Sequence, residues 1–126
     1  MADPSLLVLL KGYVGFDAEA SHRLQRMGSS MRPYHRVIVD RFYQAILRDP
    51  GARAVLEGEA QVERLKVSLT QWVEGLFSGP YDETYFEKRA RIGRVHVKVG
   101  LEQRYMLAAM NVVREGLHRA LWAASD

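Results

Sequence analysis

The chain has 126 residues, 48% of them hydrophobic and 26% charged, with a formal net charge of +3. That size and composition fit one folded domain with a real core and exclude a disordered tail. Cysteine is absent, which excludes disulfides, thiolate zinc sites and cysteine nucleophiles and suits a reducing cytoplasm.

The first apolar run, Leu6 to Leu10, is too short to span a bilayer and has no basic segment before it. It reads as a packing segment. No later stretch reaches the length of a membrane-spanning helix, so a protein without membrane insertion is expected. Asp17 suits the cap of a helix over Ala18–Met27, with Leu24 and Met27 on its buried side. Gly28, Ser29 and Ser30 read as an interruption. Pro33 suits the first turn of the next helix. That helix carries Val37, Ile38, Phe42, Ile46 and Leu47 at helical steps and stops at Asp49-Pro50-Gly51.

A short helical turn, Ala52–Leu56, follows. From Glu59 to Phe77 the apolar positions are Val62, Leu65, Leu69, Trp72, Val73, Leu76 and Phe77, an amphipathic helix. Ser78-Gly79-Pro80 closes it. Asp82 can cap a helix that contains Tyr85, Phe86 and Ile92 and reaches His96. Gly100 punctuates, and Leu101–Ala124 forms the last helix, with Tyr105, Leu107, Met110, Val113, Leu117, Leu121 and Trp122 as its apolar set. Residues 95–99, Val-His-Val-Lys-Val, alternate like a strand. No second strand-like run exists to pair with them, and Ile92, His96 and Val99 share one helical face. The expectation is an all-α fold of about six helices.

The chemistry is sparse. Four histidines occur: His22, His35, His96 and His118. No two of them form a zinc-hydrolase motif, and no glycine-rich phosphate loop or nucleophile arrangement appears. No catalytic residue is assigned. The basic cluster Lys88, Arg89, Arg91, Arg94 and Lys98 allows a nucleic-acid footprint, but a solvated helix face explains it more simply. It could also attract an anionic ligand group.

His96 stands out because it lies among Val95, Val97 and Val99. Either its ring is a hydrogen-bonded piece of core, or its nitrogen is needed there. Imidazole presented from an apolar wall is a good ligand for haem iron. Phe42, Tyr43, Leu65, Trp72 and Phe86 would serve as lining, and Tyr43, Ser68 or Thr70 as polar donors. Each of these also reads as ordinary core or surface.

The stretch RIGRVHVKVGLEQRYM resembles the proximal-histidine segment of globin-coupled sensors and protoglobins, in which a histidine is followed by a small apolar spacer and an aromatic residue. The matching positions are His96, Val99-Gly100-Leu101 and Tyr105. Upstream, DRFYQAILRDP resembles the family's Phe-Tyr segment, whose tyrosine corresponds to Tyr43. The resemblance covers residues 20–115. Gln103 stands where the family often has proline, and Met106 replaces the second member of a common aromatic pair.

The resemblance implies a sensor globin over residues 1–126 that binds haem b (iron protoporphyrin IX), with His96 as axial iron ligand. O2, CO or NO would bind opposite it. The 59–77 helix would form the distal wall, with Tyr43 donating to O2 and Ser68 as a second donor. Ile92 and Tyr105 join the lining named above. Family globins continue into one more long helix, so the chain is expected to be a piece of a longer sensor or a short single-domain globin. Related sensors pair their last helices, which makes a homodimer the expected state. The domain itself would sense and not catalyse. The rival readings are a catalytic globin such as an NO dioxygenase, and a haem-free helical dimerisation module.

Overall fold

The computed structural model describes residues 5–124. Seven α-helices and one 3-10 turn are found there: α1 (Leu6–Val14), α2 (Ala18–Met31), the turn Arg32–Tyr34, α3 (His35–Arg48), α4 (Pro50–Arg53), α5 (Glu59–Gly75), α6 (Glu83–Lys98) and α7 (Gln103–Ala124). No strand occurs among the described residues. Residues 95–98 are helical, so the period of 3.6 prevails over valine's preference for strands.

Local chemistry sets most boundaries. Asp17 caps α2 by accepting from the Ala20 amide, and Asp82 caps α6 by accepting from that of Tyr85. Asp49 accepts from the amides of Gly51 and Ala52, with Pro50 at the first helical position. The Asp49-Pro50-Gly51 sequence, expected as a stop, is therefore also the start of α4. The expected interruption at Gly28-Ser29-Ser30 is absent: α2 runs on to Met31. A Cβ at Gly28 would lie 3.5 Å from Phe77, so this residue meets a close neighbour inside an unbroken helix. One glycine costs only about 1 kcal/mol in a helix, which tertiary packing recovers.

The core is a layer in which α3 lies between α5 and α7. Met31, Ile38, Val39, Tyr43, Val62, Val73, Phe77 and Ala120 form its buried centre, with Leu24, Phe42, Leu65, Leu69, Trp72 and Leu117 packed around it. A Cβ on Gly116 would meet Ile38 Cγ1 at 3.1 Å, so α7 approaches α3 closely there. The N-terminal run does not pack as expected. It forms α1, which has no buried residue, and Tyr13 is 89% exposed. What ties α1 down is Lys11, whose ammonium donates to the Tyr81 carbonyl, and Phe16, whose ring meets Tyr81 edge-on at 5.3 Å.

Candidate functional site

The first half of α6 is tied to α5 through Arg89, which donates to the Trp72 carbonyl, and its last turns and C-cap carry Ile92, Val95, Val97 and Val99 exposed, Val97 at 78%. His96 lies half-buried among them. Its Nδ1 is 2.7 Å from the Ile92 carbonyl. A carbonyl only accepts, so Nδ1 carries the hydrogen and donates it. In the neutral ring the Nε2 lone pair is then left over, and it has no partner among the described residues. A backbone carbonyl on one ring nitrogen fixes tautomer and orientation for a ligand bond through the other.

Tyr43 comes from the middle of α3. It is 7% exposed, and its ring meets Phe42 edge-on at 5.1 Å. Burial pushes its phenol up to about 12, so the proton stays on at neutral pH. No hydrogen-bond partner for the hydroxyl exists among the described residues, and the oxygen is not one of their sealed unpartnered atoms. The group is thus a protonated donor with nothing to donate to inside the fold.

The other expected positions divide. Phe42, Leu65 and Trp72 join Tyr43 around the central cluster, as does Leu69. Phe86 is half-buried and Ile92 exposed, both on α6 with His96. Ser68 is exposed on α5. The Thr70 hydroxyl is spent within α5 on the Lys66 carbonyl at 2.8 Å. Tyr105 is half-buried on α7. Its hydroxyl accepts from Arg104 at 3.3 Å and lies over Gly51, where a Cβ would come within 1.9 Å of it. The structure thus gathers Phe42, Tyr43, Leu65 and Trp72 in one cluster and sets Phe86, Ile92 and His96 on a separate helix.

The basic cluster is not uniform. Arg94 pairs with Glu87 at 2.6 Å. Arg89 lies between two rings, 4.4 Å from the centres of both Trp72 and Tyr85, and donates to the Trp72 carbonyl at 2.8 Å. Sequence reasoning counted Arg89 only as a charge. The signal that could have found it is its place seven residues before His96, on nearly the same helix face.

No group of three or more His, Cys, Asp or Glu side chains gathers for a metal among the described residues. A lone imidazole such as His96 holds a metal firmly only when the remaining ligands arrive with it, as in a porphyrin. The unpartnered Nε2, the exposed apolar turns around it and the unpartnered Tyr43 donor fit that kind of group.

Two comparisons bear on this geometry. The protoglobin family model matches residues 3–126. The chain is also similar to the heme-based aerotactic transducer HemAT of Halobacterium salinarum, at 40% identity over 60 residues. Those residues are 48% of this chain and 12% of the transducer, so the chain spans a small part of that relative's length.

Proposed function

The chain belongs to the protoglobin family, its all-α fold is globin-like, and from that premise we propose that it is a haem-based sensor domain for O2. The resident group is haem b, which when bound supplies an iron centre that takes a diatomic gas. His96 holds it through Nε2. The Ile92 carbonyl, by accepting from Nδ1, fixes the ring's orientation and leaves Nε2 as the nitrogen that would bind the iron. Tyr43 offers its O–H to a gas carrying partial negative charge. In a site shielded from water that hydrogen bond is stronger than in solution. CO and NO are expected to bind too, with less benefit from the phenol where the ligand is less polar. Ser68, exposed on α5, is the weaker second donor. Leu65, Trp72, Phe86, Ile92 and Tyr105 would line the group.

The observation that carries this reading is the His96–Ile92 hydrogen bond on a helix end where Ile92, Val95, Val97 and Val99 are exposed. The name of that relative, a heme-based aerotactic transducer, accords with a sensing task and not a catalytic one. Leu107, Met110 and Trp122 leave apolar area exposed along α7. A second copy covering it would form a homodimer through which the ligand state passes onward, to a signalling domain where one follows. No helix among the described residues is long and apolar enough to cross a membrane, and we take the site of action to be the cytoplasm.

Hemin titration tests the reading. The wild type should take one hemin per chain and, once reduced, show a five-coordinate ferrous spectrum that shifts with CO. His96→Ala should lose that spectrum. A wild type that ignores hemin, or a variant with an unchanged spectrum, removes His96 as the ligand.

A further inference from the structure

The corner where α5 meets α6 is built more elaborately than a helix junction needs. α5 ends at Gly75, and the Leu76 amide turns back to the Val73 carbonyl at 3.1 Å. The Trp72 carbonyl thereby loses its usual amide partner. Arg89 supplies the replacement from α6, through Nη2 at 2.8 Å. A cation at this point also meets the negative end of the α5 dipole. Its Cζ lies 4.4 Å from the centres of the Trp72 and Tyr85 rings, and its Nη1 is buried with no hydrogen-bond partner among the described residues. Room for the guanidinium depends on Gly75: a Cβ there would stand 2.8 Å from Nη2. Behind it, the Tyr81 hydroxyl donates to the Leu76 carbonyl at 2.6 Å, and Tyr81 meets Tyr85 edge-on at 5.2 Å.

Arg89 precedes His96 by seven residues. That is about 20° short of two full turns and about 10 Å along the axis. The two side chains therefore share a face, Arg89 near the middle of α6 and His96 in its last turn.

We propose that Arg89 is the positioning residue for His96: clamped between Trp72, Tyr85 and the end of α5, it sets the angle at which α6 presents the imidazole. This goes one step past the haem reading and rests on it. The clamp spans the two helices that flank the proposed pocket. A displacement of His96 along its bond therefore pulls against the last turn of α5, and the histidine helix does not move alone.

The test uses Arg89→Met, which keeps the length and apolar contact, Arg89→Lys, which keeps charge and one donor, and Gly75→Ala, which crowds the guanidinium from the other side. Three readouts are taken: hemin stoichiometry, the iron–histidine stretching frequency of the ferrous protein, and amide exchange across residues 83–98. All variants should still bind one hemin. Arg89→Met should shift or broaden the stretch, speed exchange across α6 and release hemin about tenfold faster, as losses of supporting contacts around a ligand do. Gly75→Ala should move the same readouts in the same direction, and Arg89→Lys should restore part of the loss. An unchanged stretch with unchanged exchange in Arg89→Met overturns the proposal while the haem reading stands. A wild type that takes no hemin defeats both, and the two failures are told apart in the wild type alone.

Discussion

Replacing Tyr43 by phenylalanine isolates one hydroxyl. The ring keeps its place in the core beside Phe42, and no acceptor inside the fold loses a donor, because the hydroxyl has no partner there. Stability should therefore change little. The effect on ligand binding should be large. A hydrogen bond to a charged acceptor contributes about 1.5–3 kcal/mol. At about 1.4 kcal/mol per factor of ten, O2 should leave roughly 10- to 150-fold faster. CO, much less polar, should leave less than about threefold faster. With the phenol raised to about 12, only about one in 100,000 is ionised at pH 7. The donor is thus present at every physiological pH, and no pH-dependence of O2 release should arise from it below about pH 10. Stopped-flow displacement of O2 by CO, and of CO by NO, measures both rates on wild type and variant. Equal acceleration for the two gases would point to a change of pocket volume and would refute the hydrogen-bond argument, as would no acceleration of either.

Two further outcomes follow from other parts of the molecule. His35 is 4% exposed, with neither ring nitrogen partnered among the described residues, and stacks on Phe77 at 6.0 Å. Burial lowers its pKa below the usual 6.5, Glu74 opposes that shift and Arg32 adds to it. The unfolded chain therefore takes the proton first on acidification. The contribution is complete above pH 6.5 and is lost as pH falls from 6.5 towards the lower folded value. Urea midpoints between pH 7.5 and 5 should decline more steeply in wild type than in His35→Leu, and parallel slopes would show that His35 is not the group. On α7, Trp122 is 79% exposed and Leu107 is exposed further along. Trp122→Glu with Leu107→Glu should turn a dimer into a monomer in sedimentation equilibrium with helicity kept, and a wild type already monomeric at high concentration removes the dimer.

The sequence made the helices legible because apolar steps of three and four residues recur from Val37 to Leu121, and because Asp17 and Asp82 cap where they should. Its errors came from residues whose effect is decided at a distance. Gly28 looked like a break, but a glycine next to Phe77 sits comfortably within a helix. The Leu6–Leu10 run looked like core, yet helix packing left it outside. For the candidate site, His96 stood out in the sequence as a titratable group in an apolar stretch, and Tyr43 through its resemblance to the family's Phe-Tyr segment. The tautomer of His96 was not, since it depends on the ring reaching the Ile92 carbonyl. Arg89 was hidden because a basic residue in a basic cluster carries no mark of the carbonyl and the two rings that receive it.

The close fit of Gly75 beneath the Arg89 guanidinium has a consequence for how the gene can change. Positions 75 and 89 are therefore coupled: a methyl at 75 makes the guanidinium shift, at the far end of a flexible side chain, and so weakens its hold on the Trp72 carbonyl. In a library that varies both codons, the effect of a larger residue at 75 should depend on which side chain stands at 89.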